Sequence, residues 1–131
     1  MYRLLMIAGS ALLALTAQAS AEGDPVKGEK IFKRCAACHA VGENAKNKVG
    51  PQLNGVVDAA WGRIDGFKYS NNLVELSDGK VWDAATLDIY LTKPKDLIPK
   101  GKMAFAGLRK EEDRANVIAY LAQYNEDGTT K

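Results

Sequence analysis

The sequence has few of the side chains that usually bind metal ions or form cross-links. Its 131 residues include two cysteines, Cys35 and Cys38, and one histidine, His39. A structural zinc site normally takes four cysteine or histidine ligands, so these three residues are too few for one. If both cysteines attach a cofactor, none remains for a disulfide. The chain also lacks an internal repeat and the alternating apolar and polar pattern that is typical of strands, which favours an all-α fold.

These scarce residues stand together as Cys35-Ala36-Ala37-Cys38-His39. This is the C-x-x-C-H signature of covalent c-type haem attachment. Residues three and four apart share one face of a helix, so both cysteines can form thioethers to one porphyrin while His39 turns to the iron. One alternative is half of a zinc site, which the ligand count disfavours. The other is a thioredoxin-like redox pair, which requires a preceding strand and βαβ surroundings that the sequence does not show.

The first residues resemble a secretory signal peptide. Residues 1–21 combine the positive Arg3, an apolar run from Leu4 to Leu15, and small residues that allow cleavage after Ala19 or Ala21. The apolar run is shorter than the ~20 residues that span a bilayer, although an uncleaved anchor is the alternative. We therefore expect export to the periplasm and a mature domain over residues 22–131.

Helix start signals occur at four places along the mature part. Asp24-Pro25, Ser70 and Asp83 are N-cap patterns, and Glu111 to Asp113 place negative charge at a helix start. The spacing predicts helices after each, with Pro94 ending the third. Residues 42–66 and 94–109 are rich in glycine and proline and are expected to be loops, and the tail from Asn125 onward is expected to fray.

A single methionine, Met103, remains after the leader, because Met1 and Met6 lie within it. It stands in a loop with proline and glycine rather than on an apolar helical face. Loops carry functional groups more often than core positions do. A thioether paired with histidine raises the reduction potential of a haem, so Met103 is the candidate for the second axial ligand.

Taken with these features, the chain resembles the class I cytochromes c, which carry electrons in mitochondria and in the bacterial periplasm. The resemblance covers nearly all of residues 23–124. The motifs that carry it are Gly28 and Phe32, Cys35 to His39, Gly50 to Gly55, Gly66 to Tyr69, Trp82, Tyr90-Leu91 with Pro94, Lys102 to Gly107, and Ile118 to Leu121. It implies an all-α cytochrome c fold, with a few helices and long loops around one haem c.

The resemblance also implies roles for several side chains. Pro51 would accept a hydrogen bond from His39, and Tyr90 would place its hydroxyl near the Met103 sulfur. Tyr69 and Trp82 would bind a buried haem propionate. Phe105 would cover the exposed haem edge. For each aromatic residue, simple core packing is the alternative.

The same resemblance implies that Gly28 and Phe32 meet Tyr120 and Leu121 where the terminal helices cross. On sequence alone, a tolerated exposed glycine at residue 28 is the alternative.

Axial ligation by His39 and Met103 leaves no open coordination site, so the predicted function is one-electron transfer rather than catalysis. The alternative is a haem peroxidase or a gas-binding cytochrome with an open sixth site. Gas-binding cytochromes of the four-helix-bundle kind usually carry C-x-x-C-H near the C-terminus, whereas here it lies early in the chain.

Basic residues cluster in the segments that are expected to frame the haem edge. They are Arg34, Lys46, Lys48, Lys95, Lys102, Arg109 and Lys110. By resemblance, we expect a monomer that docks through them on redox complexes such as a cytochrome bc complex and a terminal oxidase or reaction centre. No nucleic-acid partner is expected.

The chain departs from the resemblance after Val57. Relatives usually have Gly-Arg near the buried propionate, whereas this chain has Asp58-Ala59. The loss of the arginine is expected to lower the reduction potential. Arg63 could supply the missing guanidinium, or the loop could simply be divergent.

Overall fold

The structure is a computed structural model that describes residues 23–131. The predicted signal peptide, residues 1–21, and the predicted start of the mature domain at residue 22 lie outside the described residues. Among residues 23–131, no helix has the length and apolar character needed to cross a membrane.

The described part of the chain contains five α-helices and no extended strand. They are α1 (Pro25–Phe32), α2 (Asn71–Leu76), α3 (Ala84–Thr92), α4 (Pro94–Leu97) and α5 (Glu111–Ala122). Two isolated β-bridges join Ala60 to Val81 and Tyr124 to Thr130. The predicted all-α fold class is confirmed.

Three helices begin at the predicted caps. The Asp24 carboxylate accepts hydrogen bonds from the N–H groups of Val26 and Lys27, and Pro25 occupies the first helical position. Ser70 caps α2, and Asp83 accepts a bond of 2.7 Å from the Thr86 N–H at the start of α3. These side chains satisfy N–H groups that have no partner within their own helix.

Helices α1 and α5 cross at close range, as the resemblance implied. A Cβ atom at Gly28 would overlap the Asn116 carbonyl and would lie 2.8 Å from Tyr120 Cβ. Phe32 packs against Tyr120 with ring centroids 5.4 Å apart and shares a buried cluster with Leu121. Gly28 is therefore buried at a helix crossing, and the alternative of an exposed glycine is wrong.

Arg114 fixes α5 to α3 and to the loop between them. Its Nε donates to the Asp88 carboxylate on α3 at 2.6 Å, and its Nη1 donates to the Leu108 and Arg109 carbonyls at 2.9 and 3.0 Å. The Arg114 side chain is only 11% exposed. A charged group this buried needs hydrogen-bond partners, and the bonds from Nε and Nη1 hold the three segments together.

The apolar core consists of two clusters. One contains Trp61, Trp82, Leu87, Ile98 and Ile118, and the other contains Phe32, Leu108, Val117 and Leu121. Three half-buried side chains, Val56, Val57 and Leu91, pack against both clusters. The loop that carries the two valines is thus part of the core although it has no regular structure.

Two predicted loop segments are ordered differently from expectation. Residues 94–97 form α4 because Pro94 is suited to a first helical turn, where its missing N–H is not needed. The tail from Asn125 is not frayed: it folds back as a hairpin closed by the bridge between Tyr124 and Thr130. The C-x-x-C-H motif also lies just beyond α1, which ends at Phe32.

Candidate haem-binding site

The C-x-x-C-H motif continues the path of α1 through a series of tight turns. The Cys35 N–H donates to the Phe32 carbonyl at 2.8 Å, and the His39 N–H donates to the Cys35 carbonyl at 2.9 Å. This last bond has the spacing of an α-helix, so Cys35 and His39 share a face although the segment is not a regular helix. Cys35 and Cys38 are half-buried and are not joined by a disulfide.

His39 is held in one orientation by the loop that follows it. Its Nδ1 lies 2.7 Å from the Pro51 carbonyl oxygen. Because a carbonyl can only accept, Nδ1 carries the proton and Nε2 keeps its lone pair for a metal. Burial lowers the pKa of His39, which favours the neutral imidazole that binds metals.

Gly50 completes the setting of the His39 ring. A Cβ atom at residue 50 would overlap the ring itself, so no larger side chain fits there without moving the imidazole. The Gly50 N–H donates to the Cys38 carbonyl at 2.8 Å. The loop therefore packs on the ring as well as bonding to it.

Met103 and Tyr90 lie next to each other, although 13 positions separate them in the sequence. The Tyr90 hydroxyl donates to the Met103 sulfur at 3.8 Å. Burial raises the pKa of Tyr90 to about 12, so the hydroxyl keeps its proton at neutral pH. The loop of Met103 is tied to α3, which carries Tyr90, by the Leu108 N–H bond of 2.7 Å to the Leu91 carbonyl.

Trp82 and Tyr69 are brought to one loop, residues 58–64. The backbone N–H of Trp82 donates to the Ala59 carbonyl at 2.8 Å. The Tyr69 hydroxyl accepts a bond of 3.1 Å from the backbone N–H of Ile64. Tyr69 still has its own hydroxyl hydrogen to donate. Burial raises the Tyr69 pKa while the nearby charge of Arg63 opposes the rise. Arg63 therefore lies within electrostatic range of Tyr69.

Arg63 occupies a defined position in this region. Its guanidinium donates to the Asn54 carbonyl and lies 3.9 Å from the Glu126 carboxylate. The Arg63 side chain is 20% exposed. Asp58, which stands where relatives usually have glycine, adopts a left-handed backbone with φ of 69° and is exposed. Such a backbone favours glycine and is tolerated by aspartate, which accounts for this exchange.

Sequence reasoning missed Trp61. Its ring stacks on Trp82 with centroids 4.4 Å apart and 19° between the planes. Its Nε1 is buried and has no hydrogen-bond partner. A large aromatic residue in a glycine-rich loop was the available signal, but the partner of that ring lies 21 positions later and nothing in the sequence pairs the two.

These residues fit a haem. His39 offers a free nitrogen and Met103 offers a thioether. Cys35 and Cys38, three positions apart, offer two thiols. The half-buried apolar side chains Leu53, Leu91 and Phe105 belong to the cluster that also contacts Cys35. The zinc alternative gains no support, since residues 23–131 contain no group of three or more metal-binding side chains.

The fold and this arrangement are those of a small c-type cytochrome, and the similarity to known proteins agrees with this class. The Cytochrome c family model matches residues 25–125, so the chain belongs to the cytochrome c family. It is a one-electron carrier that uses a covalently attached haem c.

Relatives of known name are similar over most of the chain. Cytochrome c-550 of Ancylobacter novellus is 52% identical over 80% of this chain and 99% of its own length. Cytochrome c-554 of Methylosinus trichosporium is 46% identical over 98% of this chain and 96% of its own. The solved structure of cytochrome c2 from Rhodospirillum centenum superimposes with a TM-score of 0.75, at 38% identity, covering 79% of this chain and 99% of that one. These relatives give no support to the peroxidase or gas-binding alternative.

Proposed function

We propose that the iron is bound by His39 and Met103, and that Cys35 and Cys38 form the thioethers. The haem supplies reversible one-electron chemistry between iron(II) and iron(III) when bound. The observation that supports this proposal is that a hydrogen bond holds each of the two side chains. Pro51 fixes the proton of His39 on Nδ1, and the Tyr90 hydroxyl bonds to the Met103 sulfur.

The surrounding residues adjust this site without taking part in bond making. Tyr69 and Trp82 bind a haem propionate in this proposal, and Phe105 covers the edge. A carboxylate that is removed from water needs such donors, since burial without them is costly. Because two protein ligands leave no coordination position for a substrate, the chain has no catalytic activity of its own.

The ligand proposal is tested by two substitutions that remove the sulfur. Met103→Ala and Met103→Leu are both expected to abolish the weak near-infrared sulfur-to-iron band of the oxidised protein and to allow cyanide or carbon monoxide to bind. Leucine keeps the volume of methionine, so agreement between the variants assigns the effect to the sulfur rather than to packing. Retention of the band and of the wild-type potential in either variant contradicts the proposal.

We further propose that the carrier works in the periplasm, in line with the signal peptide predicted from the sequence, and docks as a monomer on acidic surfaces of redox complexes. Candidate partners are a cytochrome bc complex on one side and a terminal oxidase or reaction centre on the other. Support comes from the basic residues, all of which are exposed: Arg34, Lys46, Lys48, Lys95, Lys102, Arg109 and Lys110. Nucleic acid is not a partner in this proposal.

Ionic strength tests the docking surface. The bimolecular electron-transfer rate with a purified bc complex is expected to fall as salt is raised, because counterions screen the attraction. Lys102→Gln, next to Met103, is expected to weaken this dependence. Lys30→Gln, which removes the same charge from α1, serves as the control and is expected to change it little. A rate independent of salt contradicts the proposed surface.

A further inference from the structure

The last residues of the chain form a hairpin that lies mostly beyond the family match. The match ends at residue 125, whereas the C-terminal hairpin, residues 124–131, continues to the last residue. The Asn125 N–H donates to the Thr129 carbonyl at 2.8 Å, and the Lys131 N–H donates to the Gln123 carbonyl at 2.8 Å. At the turn, the Asp127 carboxylate accepts from the Thr129 N–H at 2.9 Å and from its hydroxyl at 2.6 Å. The hairpin thus has its own internal bonds.

This hairpin packs on the loop that positions His39, defined here as residues 40–55. Gly128 is buried, has φ of 84°, and meets the Gly42 carbonyl so closely that a Cβ atom would overlap it. The Gly55 N–H donates to the Tyr124 carbonyl at 3.2 Å. The hairpin therefore contacts the His39 loop near both of its ends.

Within the His39 loop, the buried Asn54 joins those two ends. Its Oδ1 accepts from the Gly42 N–H at 2.8 Å, and its Nδ2 donates to the Gly42 carbonyl at 2.9 Å. Gly42 is thus bonded by Asn54 on one side and covered by Gly128 on the other. Pro51 lies between these points, three residues before Asn54, with its carbonyl on His39.

Arg63 ties the same loop to the hairpin from a third segment. Its guanidinium donates to the Asn54 carbonyl and lies 3.9 Å from Glu126 in the hairpin. Three independent contacts, at Gly128, Tyr124 and Glu126, therefore converge on residues 42–55.

We propose that the C-terminal hairpin is a clasp that holds the His39 loop closed, so that its residues position the His39 imidazole through Pro51. This inference rests on the proposed role of His39 as an iron ligand. Gly128, Glu126 and Asp127 are positioning residues in this account, because they act on the histidine only through the loop.

The test follows the His39 ring N–H proton by NMR in the full-length, reduced, haem-loaded protein. Asp127→Ala removes two bonds of the hairpin turn and is expected to speed exchange of this proton and of the Leu53 amide about fivefold. Exchange of the Ile98 amide, which bonds to Pro94 in α4, is expected to stay unchanged. Asp78→Ala removes the same charge from an exposed turn between α2 and α3 and is the matched control.

A second pair of variants acts on the contact itself. Gly128→Ala and Gly79→Ala both place alanine at positive φ, but only residue 128 has an atom in the way, since Gly79 has open space around it. Only Gly128→Ala is expected to speed His39 exchange. Equal acceleration at His39 and Ile98 would mean general destabilisation and would overturn the clasp, as would no acceleration in Asp127→Ala.

The clasp and the ligand proposal fail in different measurements. Failure of His39 and Met103 ligation appears in the spectrum of the wild-type protein, before any variant of the hairpin is made. Failure of the clasp leaves that spectrum intact and appears only as unchanged or uniform exchange rates.

Discussion

At the scale of single residues, the proposed haem site depends on polar groups that hydrogen-bond to the two proposed ligands as well as on the ligands themselves. The Tyr90 hydroxyl donates to the Met103 sulfur, and the Pro51 carbonyl accepts from His39. Donation to a sulfur withdraws electron density from it and so favours the reduced iron. Acceptance from an imidazole N–H makes the ring a stronger donor and favours the oxidised iron. If His39 and Met103 bind the iron as proposed, the two bonds would therefore adjust the potential in opposite directions.

Tyr90→Phe is expected to lower the midpoint potential. The variant keeps the ring, which packs 4.8 Å from Trp82, and removes only the hydroxyl. A net hydrogen bond of about 1 kcal/mol corresponds to roughly 40 mV for a one-electron couple. Tyr124→Phe, whose hydroxyl bonds to Tyr120, is the control for loss of a tyrosine hydroxyl. Protein-film voltammetry of the three proteins measures this, and an equal shift in both variants would contradict the role of Tyr90.

Charges at Arg63 and Glu126 are expected to move the potential in opposite directions. Arg63→Gln removes a positive charge near Tyr69 and should lower the potential, whereas Glu126→Gln removes a negative charge and should raise it. A unit charge about 10 Å away at an effective dielectric near 20 is worth ~1–2 kcal/mol before screening. The Glu126 effect should be the smaller, since its side chain is 79% exposed.

The opposite signs separate electrostatics from loosening of the loop. If both substitutions act by breaking the contact between Arg63 and Glu126, the two potentials should shift the same way. Ala59→Arg, which introduces the arginine that the family resemblance implies near the propionate, should raise the potential if the propionate lacks positive charge. No change in any of the three variants would show that this loop does not affect the haem.

At the scale of elements, the crossing of α1 and α5 leaves no space for an added side-chain atom at Gly28. Gly28→Ala should destabilise the protein by about 1–3 kcal/mol, because the new methyl group overlaps the Asn116 carbonyl. This outweighs the gain of up to ~1 kcal/mol in helix propensity. Glu29→Ala, at an exposed position of the same helix, should stay within about 0.5 kcal/mol. Denaturant unfolding of the haem-loaded variants measures both, and an unchanged Gly28→Ala would contradict the close crossing.

Sequence reasoning predicted the helices whose start is marked by a local N-cap residue. Asp24, Ser70 and Asp83 identified three helix starts, because a cap is made by residues within three positions of one another. It missed α4, since Pro94 was interpreted as a stop for α3 and not also as a start. The C-terminal hairpin was missed because a polar, glycine-containing tail has no apolar period, and its contacts are to backbone atoms of residues far away.

The residues of the candidate site also divide into those with a local sequence signal and those without one. The motif at Cys35 to His39 and the scarcity of methionine pointed directly to the residues proposed to bind the haem. The roles of Pro51 and Tyr90 came from family resemblance alone, and the structure places both at their partners. Trp61 and Arg114 could not be found, because their partners at Trp82 and Asp88 are paired only once the chain has folded.

At the scale of the whole molecule, the described part of the chain has a small and divided apolar core. Nine apolar residues of the described part are buried, and they divide into two clusters that half-buried side chains bridge. The longest helix within residues 23–131 has 12 residues, a length that is marginal without packing. A bound apolar cofactor is the element that would complete the core.

The double variant Cys35→Ala and Cys38→Ala is therefore expected to lose most of its helical circular dichroism when isolated without haem. Cys38→Ala alone, which keeps one thioether, should retain haem and most of the helix signal. Far-ultraviolet spectra together with haem absorbance measure both. Cooperative thermal unfolding of the haem-free double variant, at a temperature near that of wild type, would contradict this dependence.

The contact between α1 and α5 also bears on when Cys35 and Cys38 can be modified. The Asp24 N–H bonds to the Asn116 side chain, 92 positions later. Helix α1, with eight residues, is too short to persist by itself. If haem completes the core, α1 and α5 are not expected to hold this contact before haem is bound, and Cys35 and Cys38 then lie on an open chain. We therefore expect the cysteines to stay accessible for modification until the haem is attached and the two helices can pack.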